Sequence, residues 1–170
     1  MQTKYKSYTE CMGNAEVQAK NWKRAEKLGN VEIGSGHDQY LSTIIVQFDL
    51  RIPVKMWTEI QRYNFIDFCS SMSTIHCITK FNLEEQYDSH VDKRIIKIMK
   101  EKVDKYNSLE DKTTDEAKEL YLDILMSNPC GFNLTARLST NYRQLKTIYW
   151  QRKNHRLSQW RAFCDWIETL

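Results

Sequence analysis

The chain predicts an α+β domain in which helices pack on a small, mainly antiparallel sheet. Three observations carry that expectation. Residues 43–50 alternate Ile44, Val46, Phe48 and Leu50 with Thr43, Ile45, Gln47 and Asp49, the period of a strand buried on one face. Several other stretches repeat their apolar residues at helical spacing, with short polar breaks between them. At 170 residues the chain is long enough for one real core but not two, so residues 1–170 read as one domain.

Taken in order, residues 15–27 read as a charged helix that ends at Leu28-Gly29-Asn30, where glycine suits a C-cap. Gly34-Ser35-Gly36-His37-Asp38 is too glycine-rich for helix and precedes the strand. Pro53 suits the first turn of a helix, because its missing N–H is not needed there. That helix is expected to reach about Tyr63 and to bury Met56, Ile60 and one face of Trp57. Residues 67–74 read as a polar turn or a short strand. A long helix is expected within 84–106, with Val91, Ile95, Ile98 and the stem of Lys102 on its packed face.

After a polar break, a helix is expected over 115–126, stopped by Asn128-Pro129-Cys130-Gly131. The last forty residues read as two helices, 134–153 and 157–170. A lone strand is not stable, so more strands are required, and residues 75–82 are the candidate.

Composition narrows the function. A net charge of +3 permits an anionic ligand but lacks the dense basic stripe of a nucleic-acid binder, and no helix-turn-helix or zinc pattern is visible. The longest apolar runs are far too short for a membrane span, and the first residues hold no apolar signal core. Five cysteines (Cys11, Cys69, Cys77, Cys130, Cys164) without a CxxC pair suit reduced thiols in a cytoplasm, and no metal site is expected.

Three groups of residues could carry chemistry. His37, in its glycine-bounded loop, either presents its ring and nearby N–H groups to a phosphate or flavin, or is an incidental surface histidine. Gln61-Arg62-Tyr63-Asn64, followed by Ser70-Ser71-Met72-Ser73, either holds a phosphate between a guanidinium and hydroxyls or is a basic helix end and a polar turn. Asn141 and Arg152 lie eleven residues apart, about three helical turns, with Leu145 and Ile148 between and Arg137 one turn earlier. That face either bridges a ligand or carries an arginine snorkelling at the edge of a core stripe. Lys153, His155 and Arg156 form a short basic cluster. Trp150, Trp160 and Trp166 suit a core or a subunit interface, and the lysines and arginine of residues 92–105 suit a solvated face.

In this order and spacing the pieces resemble the flavin-dependent thymidylate synthases, the ThyX-type enzymes, and are similar to a diverged, phage-type branch of them. The resemblance covers roughly residues 30–166. The family's Ser-Gly-His loop before a strand matches Ser35-Gly36-His37. Its signature, Arg-His-Arg, a gap, then Ser-x-Asn-Glu-x-Ser-x-Arg-Tyr, matches at Arg62 and, with one residue inserted, at Ser73. Tyr63 and Asn64 replace the His-Arg pair, Ser70 and Ser71 replace Asn-Glu, and Ile75 and His76 replace Arg-Tyr. The family's Asn and Arg on one helix, and its Ala-Gln-Trp-Glu-Ile-Arg run, match Asn141-Tyr142-Arg143, Arg152 and Ser158-Gln159-Trp160-Arg161.

The resemblance implies that Arg152 is the catalytic, pyrimidine-activating group. It implies that Arg62, Ser71, Ser73 and Arg143 bind substrate, and that Ser35, His37, Tyr63, Asn141 and Gln159 bind cofactor. It implies methylation of dUMP to dTMP with FAD as cofactor and NADPH and methylenetetrahydrofolate as co-substrates. A homotetramer with sites shared between subunits is implied too, in the cytoplasm, the host's if the chain is phage-encoded. The alternative is a non-catalytic nucleotide-binding or host-interaction protein on the same scaffold, which the replaced signature pairs favour.

Overall fold

A computed structural model describes residues 15–170, with side chains from Trp22 onward. The readings made for residues 1–14, Cys11 included, lie outside the described residues. Helix α1 (Ala15–Gly29) stops at the predicted glycine. The tight approach of Tyr40 explains the residue: a Cβ on Gly29 would lie 2.7 Å from the Tyr40 hydroxyl oxygen. A 3-10 turn (Gln39–Thr43) then leads into β1 (Ile45–Pro53), whose exposure alternates as the sequence pattern requires.

Pro53 is the N-cap of α2 (Val54–Ile60), which buries Met56, Trp57 and Ile60 and ends one turn earlier than expected. β2 (Asp67–Ser71) follows. The short helices α3 (Thr74–Cys77) and α4 (Leu83–Gln86) flank a 3-10 turn at Ile78–Lys80, so residues 75–82 are not a strand. The third strand is β3 (Asn133–Asn141), within the stretch read as the start of a helix. Its Ala136, Leu138 and Thr140 are buried and alternate with Thr135, Arg137 and Ser139, so period 2 was present beneath good helix formers. The sheet is antiparallel with order β1-β3-β2, which makes β3 central; Phe48 and Phe68 both stand opposite Leu138.

Helix α5 (Lys93–Asn107) begins beyond a cap in which Asp92 accepts from the Arg94 N–H at 2.8 Å. Its packed face is Met99 and Val103, with Ile96 and Tyr106 beside them. Ile95 and Ile98 are exposed and Lys102 reaches Asp123, so the expected stripe is rotated. Helix α6 (Asp115–Ser127) is capped by Thr114 and ends at Asn128-Pro129, as read from sequence.

Helices α7 (Tyr142–Arg152) and α8 (Ser158–Ile167) cover one face of the sheet. There Ile52, Met56, Ile60, Leu138, Leu145, Ile148, Trp160 and Phe163 form one core. A second core, around Met99, Ile124 and Phe132, joins α4, α5 and α6, and Leu134 packs against both. The other face of the sheet carries exposed Ile45, Gln47, Asp49 and Arg51. Arg137, expected on a helix beside Asn141, stands on this face and forks onto Asp49 at 2.5 and 2.6 Å. No described helix is long and apolar enough to cross a membrane.

Candidate functional site

The sites follow from the two ends of α7 and the loop before β1. Asn141 is both the last residue of β3 and the N-cap of α7, its side chain accepting from the Gln144 N–H at 2.9 Å. One turn in, Arg143 and Lys146 project together toward the loop. The residue they meet is Asp38, next to His37 and only 1% exposed. Its carboxylate accepts from Lys146 Nζ at 2.9 Å and from Arg143 Nε at 3.3 Å, and Lys146 also donates to the Val31 carbonyl at 2.5 Å. The Lys146 hydrogen bond, helped by Arg143, holds the Asp38 carboxyl below the usual carboxylate range against the opposing effect of burial.

This buried ion cluster fixes the loop that carries Ser35 and His37. Gly34 and Gly36 have φ of 94° and 78°, the left-handed region that glycine enters without strain. Ser35 and His37 themselves are exposed, linked only by a bond from the His37 N–H to Ser35 Oγ at 3.4 Å. Ser42, Phe65, Asn141, Arg143, Gln144 and Thr147 border a cavity of about 220 Å³ at this end of α7.

At the other end, Arg152 follows Leu145 and Ile148 along the buried row of α7. Its Nε donates to the Tyr63 hydroxyl at 2.8 Å, and Tyr63 in turn donates to Gln151 at 3.0 Å. The guanidinium lies 4.8 Å from the centre of the Trp160 ring, a cation–π contact. Glu59 completes the group: one carboxylate oxygen accepts from the Trp160 indole N–H at 2.9 Å and lies 3.6 Å from both Arg152 Nη1 and His155 Nε2. Arg152 is therefore partly buried, oriented and already facing a carboxylate.

The structure thus brings Tyr63 to Arg152 and Asn141 to Arg143, and it sets the Ser35–His37 loop beside Arg143 through Asp38. The other expected site residues lie elsewhere. Arg62 is exposed in the turn after α2, Ser71 is exposed on the edge strand β2, and Ser73 is the N-cap of α3 without a side-chain capping bond. Gln159 donates to Asp88 and lines a different cavity. Asp38, Lys146 and Glu59 were not singled out by sequence. The spacing of Arg143 and Lys146 was visible, but nothing local named the carboxylate between them.

The solved structures that this chain resembles include two crystal structures of the flavin-dependent thymidylate synthase ThyX from Helicobacter pylori, each with FAD and dUMP. One is 12% identical over 89% of this chain and 78% of that one, with a TM-score of 0.64. The other is 14% identical over 86% and 74%, also with a TM-score of 0.64. The chain has a ThyX-like fold. No protein-family model matches the chain, and no curated protein sequence does.

Proposed function

We propose that the chain is a flavin-dependent thymidylate synthase of the ThyX type, methylating dUMP to dTMP with a folate methylene donor and NADPH as reductant. The observation that carries the reading is the placement of Arg152 on a ThyX-like fold. Its guanidinium is held by Tyr63 and Trp160 at one end of a helix whose other end presents Asn141 and Arg143 to a cavity.

The roles follow from chemistry. Arg152, flat and permanently charged, stabilises negative charge developing on a pyrimidine oxygen, and lysine offers no equivalent fork. Arg143, anchored on Asp38, is the cation for a phosphate at the far end, and Asn141, Ser42 and Thr147 supply neutral donors and acceptors there. These residues fit part of a flavin nucleotide: Phe65 offers a ring face and Arg143 a charge. The bordering cavity of about 220 Å³ falls below the roughly 300 Å³ at which pockets enclose a whole small ligand. A neighbouring subunit supplies the rest, consistent with exposed Ile45 and Phe65 and with a homotetramer. When bound, FAD supplies the hydride chemistry, and the chain supplies binding and electrostatics.

A second reading has its own support. Glu59 offsets the charge of Arg152, as suits a protein that binds a nucleotide or a host partner without turnover. The test is retention of visible flavin absorption after incubation with FAD, followed by dUMP titration and tritium release from labelled dUMP. Retained flavin, turnover, and a loss of about 100-fold in kcat for Arg152→Ala support the enzyme. Flavin and dUMP binding without tritium release supports the second reading. Failure to retain FAD overturns the first.

A further inference from the structure

We propose a second ligand site, for a small organic oxyanion with a flat apolar body, in the cleft between the start of α2, the segment before α5 and the start of α8. The cleft has a volume of about 510 Å³, within the range of pockets that enclose small molecules and more than twice the 220 Å³ beside Asn141. Arg152 does not line it, and the proposal stands independently of the reading given for that residue.

Its chemistry is asymmetric. Pro53, Val91 and Leu157 give it apolar walls, while Lys55, Arg156 and Arg161 bring three cations to its border. Among the described residues, neither arginine has a carboxylate within ion-pair distance. Arg161 is oriented by bonds from Nη1 to the carbonyls of His155 and Arg156, at 2.6 and 3.0 Å. Among the described residues, Lys55 has only the Glu59 carboxylate, at 4.0 Å.

The one carboxylate on the wall, Asp88, offsets only one of the three cations, and it is oriented by its own partners. Its carboxylate accepts from the His90 N–H at 3.0 Å, pairs with the His90 ring at 2.8 Å, and accepts from Gln159. Its own N–H donates to the Gly131 carbonyl at 2.8 Å, which ties the wall to the end of the α6–β3 connection. Gly131 is required there: a Cβ would lie 2.2 Å from a Val91 methyl carbon. A built, rigid cleft with apolar walls and two carboxylate-free guanidinium groups matches an aromatic acid or phosphoester, whose oxygens the forks grip in pairs.

Cys130 provides the reporter, since its exposed thiol lines the cleft while the exposed Cys69 lies on β2. The intact protein is titrated calorimetrically with phenyl phosphate and, separately, with benzoate. Iodoacetamide labelling of Cys130 and Cys69 is followed by peptide mass spectrometry. The expected result is saturable binding of at least one probe that slows labelling of Cys130 and leaves Cys69 unchanged. Tighter phenyl phosphate identifies a phosphoester as the ligand, and tighter benzoate a carboxylate. Lys55→Ala with Arg156→Ala, both exposed and free of side-chain hydrogen bonds in the described structure, should weaken binding by about tenfold or more. Arg152→Ala should leave it unchanged. The proposal is overturned if neither probe binds saturably, if Cys130 is not protected, if the double variant binds as well as the parent, or if Arg152→Ala abolishes binding.

Discussion

Replacing Asp38 with asparagine tests the element that holds the candidate site together. The side chain keeps its shape but loses the charge that faces Lys146 and Arg143, whose side chains are 14% and 36% exposed. Breaking a buried ion pair from one side costs about 3–5 kcal/mol, because the partner charge stays desolvated. Here Lys146 keeps the Val31 carbonyl, and Arg143 is exposed enough for water to screen it, so the lower end applies. The expected loss is about 3 kcal/mol, or about 6–12 °C in Tm for a chain of this length.

The assay is urea unfolding followed by tryptophan fluorescence, repeated from pH 7 downward. The folded-state pKa of Asp38 is lowered, so its contribution is fully present above the unfolded value of about 3.9 and is lost as pH falls through the lower folded value. The gap between parent and variant should therefore be constant near neutrality and narrow below about pH 4. A loss under about 1 kcal/mol at pH 7, or a gap that does not narrow in acid, would refute the argument.

Two further outcomes test the framework around the site. Leu138 is fully buried on the central strand, so Leu138→Ala should cost about 2–5 kcal/mol in chemical unfolding, the cavity adding to the lost burial. Thr114 Oγ1 accepts from the Ala117 N–H at 3.2 Å, and Thr114→Ala should cost about 1 kcal/mol, read in the same assay.

Local signals explain which elements were legible from sequence. β1 announces itself by alternation, and α6 by Thr114 before it and Pro129 after it. β3 was hidden because Leu134, Ala136 and Leu138 are sound helix formers, and no glycine or proline separates them from α7. Only Asn141 marks the change of period, as strand end and helix cap at once. The rotated face of α5 shows a similar limit, since two apolar rows share one helix and only the neighbours decide which is buried. At the site, both ends of α7 were visible as Asn141, Arg143 and Arg152. Their partners were not: Tyr63 lies 89 residues from Arg152, and Asp38 lies 105 from Arg143. Pairings at that separation are made by the sheet and by no local pattern.

Glu59 decides how available Arg152 is to a ligand. Both side chains are about one-fifth exposed, and the carboxylate sits 3.6 Å from the guanidinium and from the His155 ring. An anionic nucleotide approaching Arg152 therefore meets a pair that is close to neutral. Glu59→Gln removes the negative charge and retains an oxygen that can accept from the Trp160 indole N–H, so the packing of the group survives. Two unit charges about 6 Å apart at an effective dielectric of about 20 repel by about 3 kcal/mol before screening. Half of that remaining after screening would tighten nucleotide binding by about tenfold. Stability should change by no more than about 1 kcal/mol, because the lost pair is only partly buried. Titration of dUMP into parent and variant, at low and high salt, separates the effects: the gain should shrink as salt rises. An affinity that falls, in a variant whose tryptophan fluorescence and unfolding match the parent, would instead make Glu59 a direct contact to the ligand.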